Sequence, residues 1–411
     1  MIYKFSLMPF LIGLIVSEKL YLFGEVYIGE ILAIGYIVFN FKKIRLSGSE
    51  ITIIVFALLW AVSQLISDLL NNSEVVDAFK GIFAPIVLSC TLIFFLKYTK
   101  DKVRRLPSLL LGITIGELVH LLLFPTEYFI GNFWKWGFGQ ALIGMFVIYF
   151  SFFIKTKSNV LLFFVLGFFL IVSLYFDARS LAIFPLFSAL VYSMFYGKGK
   201  SILSKRFYDN WVGIKIFSIL LPVLVVINLG ASALFSSQYV LSQFSNDAAD
   251  KYKMQASGAY GILLGGRSEI LASGQAFLDK PLFGHGSWAK DKSGYQEKYM
   301  ELIYLLEYTD KSNIEVRDDS LIPVHSFLMG ALVWAGFAGG VFWLVVLNKT
   351  LKIFIKDLNS FPFYYYIGMI GFVWNVFFSP FGANARWNTA VFLAALFTYS
   401  AHLKINTRGM L

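Results

Sequence analysis

The chain has 411 residues, of which 58% are hydrophobic and only 15% charged, against roughly 25% charged in soluble proteins. A mean hydropathy of +0.69 is more apolar surface than a soluble globule can keep from water, which excludes soluble enzymes, disordered scaffolds and disulfide-knit secreted modules. The lone cysteine, Cys90, excludes a disulfide framework and a Cys-based metal site, and the formal net charge of +10 has to be located before it can be read as a sign of nucleic acid.

Apolar windows of helical length fall near residues 5–23, 26–41, 51–67, 82–96, 106–124, 139–154, 159–176, 180–196, 211–231, 323–347, 362–380 and 388–403. Lipid admits only helices and closed barrels, and these runs are uninterrupted rather than alternating. The expected fold is therefore an all-α polytopic membrane protein of about twelve transmembrane helices. Residues 1–235 carry helices one to nine, 236–322 form one large loop, and 323–411 carry helices ten to twelve. The first window has no small-residue cleavage site and reads as a retained span. Glycine pairs at helix-packing spacing occur at Gly112/Gly116 and Gly336/Gly340.

The connections divide by charge. Lys42-Lys43-Ile44-Arg45, Lys97 through Arg105, Lys155-Thr156-Lys157, Lys198 through Arg206 and Lys349 through Lys356, with Lys4, Lys404 and Arg408, hold 20 of the 35 basic residues. The short loops of the other set hold only Lys19, Lys80, Lys135, Arg179 and Arg386. The positive-inside rule then puts both termini in the cytoplasm. The large loop, outside, carries nine basic and twelve acidic residues. The surplus positive charge lies on cytoplasmic loops facing anionic lipid, so no nucleic-acid partner is expected.

Within the large loop, Ser268 to Asp279 reads as a short helix stopped by Pro281, and Tyr295 to Tyr308 as a second with Tyr299, Leu302, Ile303 and Leu306 on one stripe. Both are expected on the outer surface as a lid. Gly199-Lys200-Ser201 lacks the earlier glycine of a phosphate loop, and Asp318-Asp319 reads as a solvated acidic pair. With four histidines and no His-Glu-x-x-His, no zinc site is expected.

The outer face concentrates the residues that carry chemistry. Asp177-Ala178-Arg179-Ser180 turns the chain with almost no loop, holding Arg179 at the membrane boundary as a fixed cation or in a salt bridge to Asp177. Arg267 follows Gly265-Gly266 and opens the first loop helix, where glycines allow close backbone approach and helix N–H groups favour phosphate. His325, in Pro323-Val324-His325-Ser326, lies just inside the tenth window, partly desolvated. Arg386 before Trp387 is either a third cation or an interfacial anchor, and His285 is a turn histidine. Glu117 is a mid-span acid, expected to be hydrogen-bonded in the bundle. His120 and His402 read as core or span-end residues.

Three of these stretches resemble the O-antigen ligase and polymerase superfamily of bacterial inner membranes. Asp177-Ala178-Arg179-Ser180 is similar to its Ser-Arg-type turn. Gly266-Arg267 followed by Pro281-Leu282-Phe283-Gly284-His285-Gly286 resembles its Gly-Arg, helix, Pro-Leu-Phe-Gly-x-Gly signature. His325-Ser326-Phe327-Leu328 with Gly336 and Gly339-Gly340 resembles the stretch opening its next span, although Trp334-Ala335 stands where many members carry an acid. The resemblance implies a GT-C-like glycosyltransferase in the bacterial inner membrane with its active site facing the periplasm. Its donor would be an undecaprenyl-pyrophosphate-linked saccharide and its acceptor a glycan hydroxyl, without metal or cofactor, and with a chain-length regulator and a flippase as further partners beside membrane lipid. Polymerisation of O-antigen repeat units is the first reading, ligation to lipid A core the second, and a lipid-linked sugar flippase or transporter the third. The expected catalytic set is His325, Arg267 and Arg179, with Arg386, His285, Asp177, Gly266 and Gly284 binding substrate.

The orientation is directly testable. Cysteines placed near positions 101, 201 and 353 should resist a membrane-impermeant thiol reagent in spheroplasts, and those near 250 and 310 should label; the reverse pattern would invert the topology.

Overall fold

A computed structural model of the chain describes residues 3–22, 24–44, 46–99, 102–154, 158–196, 269–307 and 320–408, with short pieces between 229 and 256. The ninth apolar window is almost wholly outside these residues, as are Gly199-Lys200-Ser201, Gly265-Gly266-Arg267 and Asp318-Asp319.

Helices dominate the described residues. They are α1 (Leu7–Val16), α2 (Ile28–Asn40), α3 (Gly48–Asn71), α4 (Val75–Thr99), α5 (Leu106–Leu123), α6 (Glu127–Gly131), α7 (Gly139–Phe152), α8 (Asn159–Tyr175) and α9 (Arg179–Phe195). There follow α10 (Gln238–Leu241), α11 (Glu269–Asp279), α12 (Tyr295–Leu305), α13 (Phe327–Ala335), α14 (Phe337–Lys356), α15 (Phe363–Phe378) and α16 (Ala383–Arg408). Four are long and apolar enough to cross a membrane: α3, α4, α5 with the turn before it, and α14. α1, α2, α8, α15 and the Ile183–Phe195 part of α9 are apolar but shorter.

Local sequence explains many of the boundaries. Ser47 and Glu50 form a reciprocal capping box at the start of α3, and Asn72 ends that helix in the left-handed region. Ser158 and Ser326 cap α8 and α13 through their hydroxyls. The two loop helices lie where their apolar stripes put them, one ending before Pro281; they pack on each other, and the first also packs on α13.

Two expected spans take another form. The first window yields only the ten residues of α1, about 15 Å of helix against roughly 30 Å of hydrocarbon. The chain then enters a two-stranded antiparallel hairpin, β1 (Lys19–Tyr21) with β2 (Glu25–Tyr27), because Ser17-Glu18-Lys19 interrupts the apolar run. The tenth window is broken at Gly336, which has φ +69°, into the nine-residue α13 and the twenty-residue α14. Gly336 is thus a chain reversal rather than half of a helix-packing pair. The Gly112/Gly116 pair does serve close packing, with added Cβ atoms meeting the backbone of α1 at Phe10 and Leu14.

The core is aromatic. Trp60, Phe327, Phe342, Trp343 and Phe381 form one cluster between α3, α13, α14 and the chain after α15. Tyr192, Phe354, Phe361, Phe363, Tyr365 and Tyr366 form another at the opposite end of α14 and α15. From Thr389 to Ser400, α16 is buried on every side, the condition for a helix at the centre of a bundle.

Gly336→Ala should cost about 1–3 kcal/mol, because alanine is strained at this φ and its Cβ would meet the Leu282 carbonyl. Thermal unfolding of the detergent-purified chain measures this; an unchanged midpoint would show that the reversal is not under constraint.

Candidate active site

The break at Gly336 leaves the last carbonyls of α13 inside the protein, where each needs a donor. α3 supplies several. Ser63 Oγ donates to the Ala335 carbonyl at 2.7 Å and Ser67 Oγ to the Trp334 carbonyl at 2.7 Å. The Phe283-Gly284-His285-Gly286-Ser287 turn supplies the rest: His285 N–H donates to the Val333 carbonyl at 2.7 Å and Gly286 N–H to that of Trp334 at 3.2 Å. Gly284 and Gly286 have φ +74° and +90°, and a Cβ on Gly284 would strike the Val333 and Trp334 backbone.

Asp68 locks this arrangement. Its buried carboxylate accepts Ser287 N–H at 2.6 Å and Ser287 Oγ–H at 2.9 Å, while Gln64 Nε2 donates to Ser287 Oγ at 2.9 Å. Asn71 donates to the Gly284 carbonyl at 3.2 Å and accepts from Lys280 Nζ at 2.6 Å. Ser63, Gln64, Ser67, Asp68 and Asn71 form one polar stripe along α3. Sequence reading passed over them; their helical spacing at the end of an apolar run, with an acid among them, was the available signal.

On this frame sits a cleft lined by Ile270 and Ser273 of α11, His325, Ser326 and Met329 at the start of α13, and Phe377 and Phe378 at the end of α15. The half-buried His325 is thus brought to the first turn of the helix that follows Gly266-Arg267. Arg267 and Gly266 themselves lie outside the described residues. Arg179 is the first residue of α9, which packs along α15 with Phe184 against Trp374 at 4.8 Å. Trp374 is one turn from Phe378, so the start of α9 also comes to the cleft end of α15. The turn before Arg179 is held firmly: Asp177 is left-handed at φ +48°, Ala178 N–H donates to the Ser173 carbonyl at 2.7 Å, and Asn132 Nδ2 donates to that of Phe176 at 2.7 Å. A π-helical turn, Trp134–Phe138, presses Trp134 on Phe176.

Three residues expected to contact substrate are bonded or packed within the fold. The Arg386 guanidinium is bound by Glu30, Nε to Oε1 at 2.6 Å and Nη2 to Oε2 at 2.7 Å, with Nη2 also donating to the Glu25 carbonyl. Glu30 is fully buried, so this pair ties α16 to α2. Trp387 adds to the tie by stacking on Tyr27 at 4.6 Å. His285 donates from Nε2 to the Ala276 carbonyl at 2.7 Å and packs on Tyr295; burial holds its pKa below the usual imidazole value, so the ring is neutral. Gly284 is pressed against backbone. His120 is buried and paired through Nδ1 with Glu18 at 2.9 Å, consistent with a core role. Glu117 has Trp387 as a side-chain hydrogen-bond neighbour, while its buried Oε1 has no partner among the described residues.

Asp68→Ala should cost about 2–3 kcal/mol, since Ser287 then leaves a buried N–H unpaired. Limited proteolysis should show residues 280–290 cut faster, with Asp68→Asn intermediate; wild-type protection in Asp68→Ala would mean that the clamp holds nothing. Comparison with protein-family models, curated proteins and solved structures finds no match to this chain.

Proposed function

We propose that this membrane protein transfers a saccharide from undecaprenyl pyrophosphate to a sugar hydroxyl at the outer face of a bacterial inner membrane, as an O-antigen or related polysaccharide polymerase. The observation that carries the reading is the cleft that joins His325 to the first turn of α11 and the end of α15, beside which α9 begins. His325 and the start of α9 belong to two of the stretches that resemble the ligase and polymerase superfamily, and α11 joins the two parts of the remaining one.

In this reading the acceptor hydroxyl attacks the anomeric carbon opposite the pyrophosphate. The new C–O bond forms as the sugar–phosphate C–O bond breaks, inverting the centre. Neutral imidazole of His325 takes the hydroxyl proton, and the pyrophosphate leaves with the bonding pair. Arg179 and Arg267 stabilise that developing charge, an effect worth several kcal/mol in a water-poor site. The apolar lining by Ile270, Met329, Phe377 and Phe378 supports such a site, because low polarity strengthens each charge contact. Apolar outward faces on α3, α4 and α8 suit a polyprenyl tail approaching from lipid.

Purified protein in nanodiscs with lipid-linked oligosaccharide should elongate glycan. His325→Ala should lower the rate by about 10²–10⁴. Arg179→Ala and Arg267→Ala should abolish most transfer, with Lys restoring part. Translocation without elongation would instead identify a flippase, and a normal rate in His325→Ala would remove it as the base.

A further inference from the structure

Trp288 has φ +47°, a left-handed conformation that a bulky residue adopts only when its surroundings impose it. Both flanks are pinned. Ser287 is clamped by Asp68, and on the other side Ile322 N–H donates to the Ala289 carbonyl at 3.0 Å while Lys290 bridges to Leu321. The strain does not serve burial, because the indole ends half-buried, stacked on the half-buried Trp334 with centroids 4.7 Å apart and planes 26° apart. Charged side chains lie beside the stack: Lys80 Nζ is over the Trp288 ring, 5.8 Å from its centroid, and pairs with Asp77 at 3.2 Å, and Lys290, two residues on, pairs with Glu74 at 3.3 Å.

We propose that the Trp288–Trp334 stack, with Lys80, Asp77, Glu74 and Lys290 beside it, is a saccharide-binding subsite that holds the glycan away from the bond being made. A pyranose ring presents an apolar face of C–H groups, slightly positive, to the negative face of an aromatic ring, and its edge is a fringe of hydroxyls. The indoles meet the first requirement, and the carboxylates and ammonium groups beside them meet the second through charge-assisted hydrogen bonds. An acyl chain would find the first and be repelled by the second. Trp334 ends α13, whose opposite end lines the His325 cleft, so the two sites are separated by nine residues of helix, about 13 Å. An oligosaccharide of a few units spans that distance. The identity of the ligand as substrate glycan rests on the proposed transferase reading, whereas binding can be measured without transfer.

The test uses the full chain in nanodiscs and isothermal titration with the oligosaccharide freed by mild acid from the lipid-linked pool of the producing strain. Trp288→Asn removes the ring but tolerates the left-handed backbone, and should weaken binding about tenfold. Trp288→Tyr restores a ring and should bind within about threefold of wild type. Lys80→Met, which leaves the strained turn untouched, should weaken binding and serves where Trp288→Asn does not fold. Equal affinity in wild type and Trp288→Asn, or no binding by wild type at millimolar oligosaccharide, overturns the subsite and leaves Trp288 as an interfacial anchor. Trp288-dependent binding without any transfer from the lipid-linked donor keeps the subsite and removes the transferase reading.

Discussion

The need to satisfy backbone carbonyls at the break in the tenth apolar segment organises this end of the protein. An unbroken helix would pair those carbonyls internally, and ending α13 at Ala335 exposes them in apolar surroundings. Ser63 and Ser67 on α3 and the N–H groups of His285 and Gly286 answer that demand from two directions. A turn that must bring its amides to a helix end cannot carry side chains on its approach side, which is why Gly284 and Gly286 stand there in left-handed geometry. Asp68 then closes the arrangement by gripping Ser287, joining α3, the turn and α13 into one unit.

That unit determines what the outer end can present. α13 is too short to cross a bilayer, and its freedom to pack beside α14 sets His325 at one end, next to α11 and α15, and Trp334 at the other. The starts of α9, α11 and α13 come together around the end of α15, and the turn before α9 is internally bonded. In the proposed transfer reaction, fixed helix starts suit charges that act on a leaving group, since the groups need little reorganisation as charge develops.

A second polar group steadies the opposite flank. Arg386 and Glu30, Lys19 and Glu25, and His120 and Glu18 pair where α16, the β1–β2 hairpin, α2 and α5 meet. Charges in apolar surroundings are tolerated when matched, and removing one member is far costlier than removing both. The hairpin explains why the first apolar window stops short: its strands bring Glu25 and Tyr27 to the end of α16, where Tyr27 bonds Asn384 at 2.7 Å and stacks on Trp387.

The sequence by itself determined the helical, membrane-type character of the chain and the two loop helices. Each of these depends on residues a few positions apart: apolar periodicity, a proline after a helix. Only the tertiary structure decided that the first window ends in a hairpin, that the tenth breaks at Gly336, and that Arg386, His285 and Gly284 hold the fold together. It alone revealed the Asp68 clamp. The physical reason is separation along the chain. Asp68 meets Ser287 across 219 residues and Arg386 meets Glu30 across 356, and local pattern does not tell a charge awaiting a ligand from one whose partner arrives on a distant helix.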